Sequence, residues 1–376
     1  MPLSRADRSL LAEWWFTVDR TLLAALLALI ATGLLLSLAA SPSVAVRRGF
    51  EAYHFVERHA LFAVVGTALM LGLSLLKAVE VRRLSLLLFG GAIVLMTVAL
   101  WTGPEINGAR RWVLLAGQQL QPSEILKPAL VVISAWALSG RAANVGLPGL
   151  PLAALFLVLP VALLVLEPDV GQALLLVAVW GGLLFLSGQP LPRVGLLAAA
   201  GAGLMVTAYL AFDHVRSRFD RFLDPAAGDT FQMDRARESF TTGGWFGRGP
   251  GEGRIKIVLP DAHTDFIAAV IAEEYGVIAC LALLALYGVI VVRAVRHAVG
   301  EPEQLVRLAV LGLASLVALQ ALVNIGVNAG LLPAKGLTLP FISYGGSALI
   351  GMSIGMGFLL ALTRRRPGTG RPKSAI

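Results

Sequence analysis

Cysteine is almost absent from this chain. Cys280 stands alone in 376 residues, inside an apolar run, so no intrachain disulfide can staple the fold and the redox compartment stays open. Charge is scarce as well: 14% of residues are Asp, Glu, Lys or Arg against 57% hydrophobic, and a mean hydropathy of +0.78 excludes a water-facing globule that hides its apolar surface. No basic stripe interleaved with exposed aromatics is present, so the net charge of +8 is read as membrane orientation and attraction to anionic lipid, not as nucleic-acid binding. No fixed-period repeat marks a solenoid, and no broken helices at matching positions in two halves mark an inverted-repeat transporter. The glycine-rich stretch Gly243 to Gly253 lacks the dinucleotide spacing and the Gly-Lys-Ser/Thr ending of phosphate loops. Its glycines suit positive φ and close backbone approach in a tight surface loop.

What the chain has in abundance is apolar runs long enough to cross a bilayer, which takes about 20 residues each. Ten are expected, near 21–41, 60–78, 84–101, 124–140, 148–166, 169–187, 194–212, 266–292, 305–332 and 341–363. The fold class is therefore an all-α polytopic membrane protein, a single membrane domain over 1–376. Orientation follows from Lys and Arg in short loops. Arg5, Arg8, Lys77, Arg82, Arg83, Arg141, Arg193, Arg293, Arg296 and the tail from Arg364 share one parity, which puts both termini in the cytoplasm. Arg47, Arg48, Arg110, Arg111 and Lys335 fall on the other side, against the rule. The segment 1–20 is expected to be a cytoplasmic lead into an uncleaved first span, and 364–376 a basic cytoplasmic tail. The sizeable polar element is 214–265, between spans seven and eight and so extracytoplasmic; chemistry belongs there.

That loop opens with Arg216-x-Arg218-Phe219-x-Arg221-Phe222, guanidinium groups alternating with rings. Arginine forks match phosphate oxygens bidentately, so contact with a phosphorylated lipid is one reading; an interfacial amphipathic helix is the other. Arg248 lies in the glycine-rich stretch. The loop ends in His263-Thr-Asp265 at a helix entrance. Asp265 there is either an N-cap or a general base or metal ligand. Glu273 and Glu274 should lie about 12 Å deeper at 1.5 Å per residue, facing the interior. Ionisable groups at such depth are functional candidates, with an interhelical clamp as the plainer alternative. Lys127 is a candidate partner for them, and Glu124 and Lys127, three apart, can also share a helix face. The stretch from Asn324-x-x-x-Asn328 through Pro333, Lys335 and Pro340 to Ser343-Tyr-Gly-Gly-Ser347 is expected to be re-entrant, because irregular backbone at membrane depth must be buried or line a wet cavity.

Asn107-Gly-Ala-Arg-Arg-Trp112, Gln121-Pro-Ser-Glu124-x-x-Lys127, Glu167-Pro-Asp169-x-Gly171, Leu259-Pro-x-x-His263-Thr-Asp265-Phe266, Glu273-Glu274-x-Gly276 and Pro340-Phe-Ile-Ser-Tyr-Gly-Gly-Ser347, in this order, resemble the SEDS family, and its division branch of the alphaproteobacterial kind more than its elongation branch. Glu167 stands where many relatives carry Gln. The resemblance implies a ten-span peptidoglycan glycosyltransferase in the bacterial inner membrane that polymerises lipid II and releases undecaprenyl pyrophosphate. It implies Asp265 as the essential carboxylate and a class B penicillin-binding protein, the division transpeptidase, as partner. Arg216, Arg218, Arg221, Arg248, His263, Lys335 and Ser343 are then the candidate substrate contacts, and Glu124, Lys127, Glu273 and Glu274 a polar core. A divalent cation, Mg or Mn, would be a fitting cofactor. The competing functions are a lipid II flippase, a scaffold that recruits the transpeptidase, and a transporter driven by Glu273 and Glu274.

Overall fold

A computed structural model of the 376-residue chain describes residues 9–106, 108–115, 117–140, 142–211, 216, 220, 231–333 and 336–365. Arg218, Arg221 and Lys335 lie outside the described residues. A short helix α1 (Leu10–Thr17) leads into α2 (Arg20–Arg47), α3 (His54–Leu73) and α4 (Ala78–Thr102). A small hairpin, β1 (Val113–Leu115) and β2 (Gln118–Leu120), precedes α5 (Pro122–Leu138), α6 (Gly149–Leu166), α7 (Val170–Leu186) and α8 (Leu191–Ala211). The polar segment that follows contributes α9 (Phe231–Gly243) and α10 (Ile255–Val258), and the chain closes with α11 (Ile267–Val299), α12 (Gln304–Asn328) and α13 (Gly346–Leu362). The helices α2 to α8 and α11 to α13 coincide with the ten expected spans; six of them, α2, α3, α4, α6, α11 and α12, are long and apolar enough to cross a bilayer by themselves. This is a multi-pass membrane protein.

Elementary signals set the ends. Asp19 Oδ1 accepts the Leu22 N–H at 3.0 Å to cap α2, and Asp169 Oδ1 accepts that of Gln172 at 3.3 Å to cap α7. Pro122 opens α5, where its missing N–H costs nothing. The second span begins at His54 instead of near residue 60. Its charged first turns, with Glu57, Arg58 and His59, are helical and partly turned to a cavity, which hydropathy alone reads as loop.

The core is built around α5, which packs against α4, α6, α7, α12 and α13 and is buried at every position but Ile125. Small residues permit the approach: a Cβ on Gly351 of α13 would stand 2.4 Å from the Glu124 carbonyl oxygen.

The helix α11 is broken at Gly276, whose φ of 79° and ψ of 177° interrupt the ladder. The orphaned groups are taken up by the glycine-rich segment. Arg248 N–H donates to the Glu273 carbonyl at 2.9 Å and Gly249 N–H to that of Glu274 at 3.0 Å, while Val277 N–H donates to Gly244 O at 2.9 Å. Glycine is required for this knitting: a Cβ on Gly243 would sit 1.9 Å from Ala272 O, and one on Gly247 2.2 Å from Glu274 O. The expectation of close backbone approach holds, with a broken membrane helix as the neighbour.

The side chains of Glu273 and Glu274 complete that anchor. The Glu273 carboxylate accepts the N–H groups of Arg254, Ile255 and Lys256 at 2.6, 2.9 and 3.2 Å, and Glu274 accepts Gly251 N–H at 3.0 Å and pairs with the Lys256 ammonium. Lys256 also donates to Ala39 O of α2 at 3.0 Å. The expected pairing of Lys127 with these glutamates is corrected: they serve the 251–256 loop, and Lys127 is held elsewhere. Arg248 shows an exposed side chain on this loop, contributing its backbone to the break.

The described residues of this stretch, 331–333 and 336–345, are irregular, and Pro333, Leu337 and the run Leu339 to Ser343 are buried, as a re-entrant stretch requires. Tyr287 donates to Pro340 O at 2.6 Å, Gln320 to Thr338 O at 3.0 Å and Asn324 to Leu337 O at 2.6 Å. A Cβ on Gly33 of α2 would lie 2.1 Å from Phe341 O, so the first span backs directly onto this segment.

Gly243→Ala is expected to lower the thermal unfolding midpoint of the detergent-purified protein by several degrees. Gly288→Ala, in open space on α11, should leave it unchanged or slightly raised.

Candidate active site

One end of the bundle gathers the C-terminal ends of α2 and α12 and the N-terminal ends of α3, α5, α7, α11 and α13 around a cavity of about 1000 Å³. Arg48, Arg58, Arg111, His263, Asp265 and Tyr344 are among its lining residues, as are Trp112, Leu114, Gln118 and Gln119 of the hairpin region. Glu273, Glu274, Ser343, Arg216 and Arg248 are not.

Asp265 is half-buried in this wall. The N-cap of α11 is Phe266, not Asp265, and the first-turn N–H of Ala269 is accepted by Asn328 Oδ1 at 3.1 Å. A helix cap in trans thus takes the capping role that the sequence left open for Asp265. Opposite it runs the re-entrant segment: a Cβ on Gly336 would be 3.6 Å from Asp265 Oδ2.

His263 lies beside Phe55 and stacks on Tyr344, ring centroids 4.8 and 5.5 Å away. Burial, with Arg48 and Arg47 nearby, lowers its pKa to about 4, so it presents a neutral imidazole to the cavity. Ser343 is corrected from a substrate contact to a structural one. Its hydroxyl donates to Thr264 O at 2.6 Å and accepts Leu339 N–H at 2.8 Å, and both bonds are needed to seat the re-entrant turn under the His263 loop. Arg216 is exposed, its guanidinium 5.6 Å from the Tyr209 ring centroid.

Among the described residues the cations on the cavity are three arginines: Arg48 and Arg111, which in the sequence bear only on orientation and motif, and Arg58, which no sequence signal marks. Arg48 pairs with Asp261 at 3.1 Å. Arg111 donates to Glu167 O at 3.0 Å and Pro168 O at 2.9 Å, and pairs with Asp169 at 3.4 Å. Arg58, exposed at the mouth, makes no ion pair with a described residue. For Arg48 and Arg111 a signal was present: arginines in outer loops run against the orientation rule, and they need another reason to be there.

A buried charged network forms part of the cavity wall, with Arg111, Glu124, Asp169 and Gln172 among the lining residues. Glu124 and Lys127 form the expected i, i+3 pair at 2.7 Å, and Lys127 donates to Gln320 Oε1 at 3.0 Å. Gln172 donates to Glu124 Oε1 at 2.8 Å. Three carboxylates, Glu124, Glu167 and Asp169, face two cations, Lys127 and Arg111. The excess is removed by a proton: burial first, then the Asp169 charge, push Glu167 up to about 8, although Arg111 pulls the other way. Asp169 is raised as well, chiefly by burial, while Arg111 lowers it. A proton held on Glu167 at neutral pH removes one negative charge from this cluster.

The sign of the pH effect follows. The unfolded Glu167 loses its proton near 4.5 and the folded one near 8, so its contribution to stability is full below about 4.5 and is lost as pH rises to about 8. Glu167→Gln is expected to flatten the decline of the thermal midpoint between pH 5 and 8.5, measured side by side with the parent.

The family of cell cycle proteins FtsW, RodA and SpoVE matches residues 20–367. The probable peptidoglycan glycosyltransferase FtsW of Caulobacter vibrioides (strain NA1000 / CB15N) is 44% identical over 367 residues, 97% of this chain and 94% of the relative. That of Trichlorobacter lovleyi (strain ATCC BAA-1151 / DSM 17278 / SZ) is 35% identical, with 94% and 96% covered. Among solved structures, a chain from work on structural coordination of polymerization and crosslinking by a peptidoglycan synthase complex superimposes with a TM-score of 0.77 at 31% identity, covering 93% of this chain and 98% of that one. The rod shape determining protein RodA of Thermus thermophilus gives 0.67 at 30% identity, covering 93% and 97%. With 348 of its residues inside one family match and its helices in the same arrangement as solved members, the chain belongs to the FtsW, RodA and SpoVE family of cell cycle proteins.

Proposed function

We propose that the chain is a peptidoglycan glycosyltransferase that polymerises lipid II into β-1,4 glycan strands at the outer face of the cytoplasmic membrane during division, with Asp265 as general base. The observation that carries this reading is the placement of Asp265. Its carboxyl group lines a polar, arginine-bearing cavity, while the capping duty at its helix falls to Asn328. The cavity gathers helix ends that all share one side, which the Lys and Arg distribution makes extracytoplasmic.

The chemistry then runs as a single displacement. The acceptor 4-hydroxyl attacks the donor anomeric carbon as its proton passes to the Asp265 carboxylate and from there to water. The new C–O bond forms while the bond to pyrophosphate breaks, inverting an α-linked donor to a β link and releasing undecaprenyl pyrophosphate. A positioned base is worth about 10²–10⁴-fold. Charge grows on the departing pyrophosphate oxygens, and Arg48, Arg58 and Arg111 supply the fixed positive field for it. Among the described residues no three His, Cys, Asp or Glu side chains converge as an ion site, and each step above runs on the chain's own residues. The neighbour that couples polymerization with crosslinking supports a transpeptidase partner, here a class B penicillin-binding protein at the septum.

Asp265→Asn should abolish glycan formation from purified lipid II, by at least about 100-fold, in complex with the partner whose transpeptidase is blocked, while membrane insertion and complex formation persist. Wild-type polymer yield from that variant would remove Asp265 from the base role. Lipid II translocation without polymer by the parent would favour a flippase.

A further inference from the structure

We infer that Asn324 and Asn328 on α12 are positioning residues that clamp the backbone of Asp265 against the re-entrant segment. The inference rests on the reading of Asp265 as the base.

Gln320, Asn324 and Asn328 recur every fourth residue and so share one face of α12. All three are buried, at 0, 2 and 0% exposure, where an unbonded amide is costly. The bonds of the two asparagines converge on one place, while Gln320 serves Lys127 and Thr338. Asn324 Nδ2 and Asn328 Nδ2 both donate to the Asp265 carbonyl oxygen at 2.9 Å. Asn328 Oδ1 accepts the Ala269 N–H at 3.1 Å, so the same side chain fixes the peptide after Asp265 and the first turn of α11. Asn324 Nδ2 also donates to Leu337 O at 2.6 Å, next to Gly336, which borders the Asp265 carboxylate. One amide therefore holds both backbone segments that flank the carboxyl group and sets the width between them. Asn328 Nδ2 also donates to the Asn324 backbone carbonyl at 2.9 Å and to Asn324 Oδ1 at 3.4 Å, the latter tying the two amides together. With its carbonyl held twice and its helix start held once, the Asp265 backbone is fixed in place, and a base displaced by about 1 Å loses on the order of 10²-fold in rate.

The test uses the full chain in complex with its transpeptidase partner and two near-isosteric variants. Asn324→Leu removes the bridge. Asn328→Asp keeps the acceptor for Ala269 N–H and removes the donations to Asp265. Each is expected to lower kcat for lipid II polymerisation roughly 10- to 100-fold with KM within about two-fold of the parent. Independently of activity, amide hydrogen exchange over Phe266–Ala269 should quicken in both variants while the rest of α11 keeps its protection. Unchanged exchange there, unchanged kcat, or a change confined to KM overturns the clamp. Loss of the fold by both variants would assign the pair to stability alone and overturn it equally. An Asp265→Asn complex that still polymerises at the parental rate defeats the base reading separately, because the exchange measurement still reports on the clamp.

Discussion

Hydrocarbon offers no hydrogen bonds, so every irregular stretch of backbone in this bundle has to find its partners inside the protein. The architecture around the cavity is a set of answers to that constraint. The break in α11 is closed by main-chain groups of Gly244, Arg248 and Gly249. The start of α10 rests on the Glu273 carboxylate. The re-entrant segment hangs from Tyr287, Gln320 and Asn324. An open polar site at the bundle's end is possible because these groups satisfy the chain around it.

Charge obeys a parallel rule. Lys127 is fully buried yet has Glu124 and Gln320 within bonding distance, and Lys256 has Glu274. Removing one member of such a pair leaves an uncompensated charge and costs about 3–5 kcal/mol, whereas the intact pair adds little to stability by itself. What these lysines contribute is order: Lys127 ties α5 to α12 through Gln320 and Lys256 ties α10 to α11 through Glu274, and the cavity wall inherits that register.

Much of this was legible in the sequence. Apolar runs mark the ten spans because hydropathy needs no tertiary context, and the Glu167-Pro-Asp169 break separates α6 from α7 as read. The Glu124 and Lys127 pair follows from spacing along one helix. Partnerships between distant segments were not legible. Nothing about Lys256 in a polar loop says that it reaches Glu274 eighteen positions on, and the fit of Gly243 against Ala272 depends on a kink at Gly276 that apolar periodicity conceals. The hairpin escaped because strands of three residues are too short to show alternation. Ser343 misled because a hydroxyl near a polar motif looks the same whether it meets a ligand or its own backbone. Arg48 and Arg111 were visible as exceptions to the orientation rule, whereas Arg58 was hidden in the first turns of α3.

The cavity draws its lining from Arg48 near one end of the chain to Ala348 near the other, and Gly33 of the first span rests against Phe341. Ribosomes deliver these parts in order. A nascent chain that has inserted its first nine spans still lacks the wall that Tyr344 to Ala348 supply, so the site comes into being only once the tenth span is made. A partly made enzyme anchored in the membrane would therefore be inert toward substrate, and biosynthetic timing alone would keep incomplete copies from starting glycan strands.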